Sequence, residues 1–197
     1  MTEPLRLAYA DPPYPGRAHL YADHPDYAGE VDHHELVWKL CGGDYDGWAL
    51  STSTEALNDV LNEVEVFTSS YRILAWVKHT VTVSWEPVIV VSARTPEGVR
   101  DWLQCEPDSY QWREKPDSYV IGQKPEPFCR WVFHWLGGRP EDTLDDLFPG
   151  SGNVGRAWDA WRSQPSLPLA PSPSAVKRAG RRAAAARTDE PLHGVER

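Results

Sequence analysis

Short apolar runs alternate with helically spaced stripes along the first half of this chain. Leu5 to Ala10 is a brief, weakly alternating run, the pattern of a buried strand. Asp32-His33-His34-Glu35 predicts a helix start, with Asp32 as N-cap, an acid in the first turn and Leu36, Val37 and Leu40 sharing one face. Gly42-Gly43 stops it. Trp48-Ala49-Leu50-Ser51 predicts a second strand. Ser53 or Thr54 is then placed to cap a helix running through Leu57, Val60, Leu61 and Val64. Tyr71 to Val77 predicts a third strand and the very apolar Pro87 to Ser92 a fourth. Strand, helix, strand, helix, strand is the rhythm of a parallel α/β sheet.

The rhythm lapses over residues 93 to 123, where Pro96, Pro107 and Pro116 lie among charges and aromatics, and either a substrate-facing excursion or a long surface loop fits. It returns at Lys124-Pro125. Phe128, Trp131, Val132 and Trp135 follow at helical spacing up to Gly137-Gly138, with the two Trp read as core. Thr143 to Phe148 predicts a strand, Pro149 to Gly152 a tight loop and Val154 to Trp161 a last helix. From Pro165 on, Pro, Ser, Ala and Arg leave little to bury, which predicts a disordered tail.

Composition narrows the class. The chain has 197 residues, 41% of them hydrophobic, with ten Trp, enough for one domain with a sizeable core. No apolar run approaches a membrane span, Met1-Thr2-Glu3-Pro4 lacks the features of a signal peptide, and three scattered cysteines form no framework. A cytoplasmic protein with free thiols is expected. No metal pattern stands out either, since His33-His34-Glu35 lacks a second His at i+4. The net charge of −9 is unevenly spread: six Lys/Arg against three acids from Pro165 on give the tail +3, leaving −12 for residues 1–164. So acidic a body repels nucleic-acid phosphates overall, and contact with them requires a local basic patch, the tail or a partner.

Candidate chemistry sits near both ends. Asp11-Pro12-Pro13-Tyr14 follows the first strand directly. The prolines lack N–H donors and fix φ, so sheet or helix cannot continue there. A carboxylate, a free prolyl carbonyl and an aromatic ring offer two acceptors and a stacking surface, which suits a planar group bearing –NH2. A plain turn fits the tetrad too. At the other end, Gly150-Ser151-Gly152-Asn153-Val154-Gly155 satisfies G-x-G-x-x-G between a strand and a helix, letting backbone approach a ligand at a helix N-terminus. A dinucleotide site wants a ribose-binding acid about 20 residues on. None stands between Gln164 and Thr188. No Lys-Ser/Thr follows the glycines, so a P-loop fails as well.

Taken together, Asp11-Pro12-Pro13-Tyr14 early and Asp146-Leu147-Phe148-Pro149-Gly150-Ser151-Gly152 late resemble the permuted amino-methyltransferases that use S-adenosylmethionine, in particular the adenine-specific DNA enzymes of bacteria and phages. Lys124-Pro125 and the helix to Leu136 match that arrangement in order and spacing. Trp76-Val77-Lys78 and Lys124-Pro125 also resemble the adenosine RNA methyltransferases whose tetrad is D-P-P-W. The resemblance spans roughly residues 5 to 161, and it is specific at the two ends rather than in the middle. It implies a Rossmann-like α/β methyltransferase fold over 1–164, compact, with a mostly parallel central sheet and some C-terminal strands missing. It further implies a target-recognition segment over 93–123, followed by a basic Pro/Ala/Arg-rich tail over 165–197.

The same resemblance implies catalysis by Asp11, Pro12, Pro13 and Tyr14. The cofactor is expected on Asp11, Lys124, Asp146, Phe148, Gly150, Ser151, Gly152 and Asn153, with Asn153 or Arg156 standing in for the absent ribose acid. The expected partner is DNA, duplex or single-stranded, or RNA, in a bacterial or phage-encoded cytoplasmic enzyme. The 6-amino group of adenine is the leading acceptor. Cytosine's 4-amino group, an RNA adenosine, a protein amide, or a non-catalytic relative that only binds remain alternatives. Lys78-His79 and Trp85-Glu86 lie at strand ends facing the same cleft and read equally as substrate contacts or as surface.

Overall fold

A computed structural model describes residues 3–22, 29–78, 84–107 and 122–163. The tail expected over 165–197 and much of the segment expected to read the target lie outside the described residues. Six strands and four helices make up the rest: β1 (Arg6–Ala10), α1 (His33–Cys41), β2 (Gly47–Ser51), α2 (Leu57–Phe67), β3 (Arg72–Val77), β4 (Trp85–Val91), β5 (Trp102–Gln104), α3 (Glu126–Leu136), β6 (Thr143–Asp146) and α4 (Asn153–Arg162). One sheet holds all six strands in the order β5-β3-β4-β2-β1-β6.

β1 lies parallel to β2 on one side and to β6 on the other, while β4 runs antiparallel to both β2 and β3. The sheet is mostly parallel, as expected, and β4 alone runs against the other strands. Only residues 78–84 separate β3 from β4, and a parallel return needs a crossover of a dozen residues or more. A correction falls in 93–123: Trp102–Gln104 adds a short edge strand parallel to β3. The last strand stops at Asp146, two residues before the expected end.

Two apolar layers sandwich the sheet. On one face α1 and α2 bury Leu36, Val37, Leu40, Val60 and Val64 against Ala8, Ala10, Trp48, Leu50 and Ile89. On the other, Phe128, Trp131, Val132, Phe133 and Trp135 of α3, with Val154 and Trp158 of α4, cover Leu7, Tyr9, Leu74, Trp76 and Val88. Period-2 alternation within the strands sends Tyr9 and Ala8 to opposite faces. Each fully buried large apolar side chain contributes about 1.5–3 kcal/mol.

Local signals set the helix ends. The Asp32 carboxylate accepts from the Glu35 N–H at 3.1 Å, as an N-cap should. Ser53 does not cap α2 itself; its hydroxyl accepts from the Ala56 N–H at 3.1 Å and closes the turn leading into Leu57. α3 carries Pro127 in its first turn, where a missing N–H costs nothing, and ends at Gly137 with φ +70°. A Cβ at Gly137 would lie 2.7 Å from the Arg94 Cβ, so only glycine fits.

Candidate active site

Ligands of open α/β sheets gather beyond the carboxyl ends of strands where the strand order reverses. Here that point is the β1/β6 boundary: β1 continues through α1 to β2 on one side, whereas β6 and α4 occupy the other. The ladder runs to the very ends of both strands, with Tyr9 paired to Asp146 and the Leu147 N–H donating to the Tyr9 carbonyl at 2.9 Å. Asp11 and Phe148 thus leave the sheet from neighbouring strands. The 137 residues separating Asp11 from Phe148 in sequence collapse to one crevice.

Asp11 meets a cation there. The Lys124 ammonium lies 2.7 Å from its Oδ2, and Lys124 is 5% exposed while Asp11 keeps 22%. Burial pushes the Asp11 carboxyl above the usual aspartate range, and Lys124 opposes that shift through charge and hydrogen bonding. Lys124 comes from the residue just before the α3 N-cap, Pro125. Its backbone carbonyl accepts from the Asn153 side-chain amide at 2.5 Å, tying it to the first residue of α4. Lys124 therefore bridges the two end motifs.

A second ion pair completes a chain of alternating charge. Lys78, just past β3, pairs with Glu86 of β4, and the other Glu86 oxygen lies 3.9 Å from the Lys124 ammonium. Register explains the meeting, because Trp76 sits opposite Glu86 in the β3/β4 ladder. Trp76 forms the apolar wall, with the Lys78 ammonium 4.3 Å and that of Lys124 5.6 Å from its ring centre, within cation–π range. Burial lowers the Lys78 pKa while Glu86 holds it up. Tyr14 lies among these groups: burial first, then the charges of Asp11 and Glu86, push its phenol well above the ordinary range. It stays a neutral O–H. Lys78 and Glu86 thus belong to the acidic end of the crevice, a placement that only the β3/β4 hairpin register could decide.

On the β6 side, Gly150 and Gly152 adopt φ +47° and +71°, and Gly152 is the N-cap of α4 with no side chain closing the helix end. A Cβ on Gly150 would find nothing nearer than the Phe148 carbonyl at 3.9 Å, so the loop is open at that residue, whereas one on Gly152 would lie 3.1 Å from the Arg156 guanidinium. Arg156 lies along it, donating to the Ser151 carbonyl at 2.8 Å. Asp146 points one carboxylate oxygen at the Phe148 N–H, 3.4 Å away, and leaves the other buried without a hydrogen-bond partner among the described residues. Burial raises its pKa to about 6, Phe148 pulling it down and the Asp11 charge pushing it up.

The fold is a Rossmann-like α/β fold with a mostly parallel six-stranded sheet. A crystal structure of the M1.HpyAVI–SAM complex is similar to it at a TM-score of 0.53 and 14% identity, covering 81% of this chain and 79% of that one. The likeness is one of fold. No family model and no curated protein matches the chain.

Proposed function

We propose that the protein is an S-adenosylmethionine-dependent amino-methyltransferase whose acceptor is the 6-amino group of adenine in DNA. The observation that carries this is the junction at β1/β6: a half-buried carboxylate followed by two prolines and a tyrosine, next to a bare glycine loop at a helix N-terminus, joined through Lys124. M1.HpyAVI, of similar fold, is complexed with SAM. The crevice fits such a cofactor by its own chemistry. The partnerless buried oxygen of Asp146 suits an ammonium or amide donor. The uncapped start of α4 and the open loop Gly150-Ser151-Gly152 suit a carboxylate and close backbone contact. We assign cofactor contacts to Asp146, Phe148, Gly150, Ser151, Gly152 and Asn153, with Asp11 and Lys124 at the methyl-bearing end.

When bound, S-adenosylmethionine would supply an electrophilic methyl carbon, open to attack by an amine lone pair, with the sulfur leaving as a neutral thioether that keeps the S–C electron pair. The protein's task is to make that lone pair available. An exocyclic amino nitrogen is delocalised into its ring and nucleophilically weak. Asp11 accepts one of its N–H bonds and the Pro12 carbonyl the other, drawing the nitrogen out of conjugation. Both acceptors are fixed in advance, Asp11 by the 2.7 Å contact with Lys124 and Pro12 by its own ring, so they stabilise positive charge as it grows on nitrogen. The surplus proton leaves through Asp11. Tyr14, neutral and half-buried, offers its ring face to the base, a contact worth about 1–3 kcal/mol. A duplex acceptor must first be flipped out of its stack. Target recognition falls to residues 93–123.

Incubation with labelled S-adenosylmethionine and unmodified single-stranded or duplex DNA tests the proposal. Label should enter DNA with wild type and not with Asp11→Ala. Equal incorporation by both removes Asp11 from the mechanism. Wild-type label in RNA alone moves the acceptor to RNA, and no label in any nucleic acid sinks the proposal.

A further inference from the structure

Lys124 pairs with two carboxylates, closely with one and loosely with the other. Its ammonium is 2.7 Å from Asp11 and 3.9 Å from Glu86, and Glu86 already holds Lys78. The Trp76 and Phe128 rings, at 5.6 and 5.8 Å, favour a cation on either side. The two distances, 2.7 and 3.9 Å, are close enough that a small shift of the Lys124 backbone changes which carboxylate its ammonium favours.

That backbone position is held from across the crevice. Lys124 precedes the N-cap Pro125, so its carbonyl lies outside the α3 ladder, and Pro125 brings no N–H to a neighbouring strand. The short bond to that carbonyl comes from Asn153 Nδ2, at 2.5 Å; the Cys129 thiol lies at 3.9 Å. Asn153 is itself rigid, being the first residue of α4, which packs on α3 through Phe133, Trp158 and Trp161.

We propose that Asn153 is a positioning residue: its amide pins the Lys124 carbonyl and so keeps the Lys124 ammonium on Asp11 rather than on Glu86. The cofactor loop and the catalytic carboxylate are then parts of one lever, because the residue that ends the glycine loop also sets the charge beside Asp11. The inference takes from the proposed function only the role of Asp11, and its primary test needs no cofactor. Without the Asn153 bond Lys124 relaxes toward Glu86, and Asp11 loses the cation that opposes its desolvation.

The test is a carboxyl NMR titration of Asp11 in ligand-free protein, with the signal assigned through Asp11→Asn. Asn153→Ala should move the Asp11 midpoint to higher pH, in the same direction as Lys124→Met and by less, and Asn153→Gln, which keeps an N–H donor, should restore part of it. Asn153→Leu keeps the size without the donor and without a new charge, and carries the test if the alanine variant does not fold. A folded variant of either kind with Asp11 titrating as in wild type overturns the inference. In methyl transfer, Asn153→Ala should be roughly tenfold slower at the acid end of the profile, one pK unit being a factor of ten, and near wild type at the alkaline end. A residue that only touched the cofactor would instead raise KM at every pH and leave the titration in place. A shifted Asp11 titration in Asn153→Ala, beside a wild-type protein that transfers no methyl group, would defeat the proposed function and leave this inference standing.

Discussion

Two buried carboxylates pair with cations at opposite ends of the β1/β6 ribbon, and they are built differently. At the amino end Asp142 is 0% exposed and fully engaged. It accepts from the Leu5 and Arg139 backbone N–H groups, both at 2.8 Å, and from both terminal nitrogens of Arg94, at 2.5 and 3.0 Å. Burial works against its charge, yet the Arg94 and backbone hydrogen bonds win and hold its pKa below the usual range. At the carboxyl end Asp11 has one cation, 22% exposure and a raised pKa. A saturated carboxylate fastens a sheet; an undersaturated one is poised for another donor.

The largest effect should come from breaking the saturated pair. Asp142→Ala leaves Arg94 and two backbone donors without their acceptor and should cost about 3–5 kcal/mol in denaturant unfolding, with methyl transfer per folded molecule unchanged. Linkage gives a companion check. A depressed pKa adds stability above the unfolded value, which is lost as pH falls through the native value, so wild type and variant should converge in acid. Asp11→Ala should do the reverse, lowering transfer by about 10²–10³-fold while costing far less stability, because Glu86 remains for Lys124. If Asp11→Ala unfolded the protein as severely as Asp142→Ala, the contrast between the two ends would collapse.

Asp146 sharpens the contrast from the cofactor side. Its pKa is raised to about 6, so the native state binds an extra proton between the ordinary aspartate value and about pH 6. Wild-type stability therefore falls as pH rises through that window and stays lower above it. Asp146→Asn should melt higher than wild type near pH 8 and together with it near pH 4. Calorimetry should show the opposite ordering for S-adenosylmethionine, wild-type affinity rising through about pH 6 and the variant staying weak. The smallest effect belongs to Arg6 and Asp145, 2.7 Å apart and largely exposed. Arg6→Ala should leave the unfolding midpoint where it is in wild type.

Local chemistry was the legible part of this molecule. Asp32 before a stripe of Leu36, Val37 and Leu40, or Gly137 after Trp135, each announces its element because capping and periodicity act within a few residues. The crevice was legible only in outline. D-P-P-Y and the glycine loop each carry a backbone peculiarity visible in sequence, whereas the groups joining them do not. Lys124 on Asp11, Asn153 on Lys124, and Arg94 on Asp142 are contacts between residues 29 to 113 positions apart, decided by sheet order. The direction of β4 was legible too, since so short a link after β3 leaves room for a hairpin alone. β5 offered only Trp102-Leu103-Gln104, too short for alternation to speak.

The central claim is that two remote stretches of chain form a single catalytic crevice, and a crystal structure with S-adenosylmethionine bound tests it most directly. The account predicts the methionine portion over Gly150 to Gly152 and the sulfonium methyl turned toward Asp11, with room for an amino nitrogen at about 3–3.5 Å. A cofactor lodged elsewhere, or seated on the glycine loop with its methyl facing away from Asp11, would contradict it.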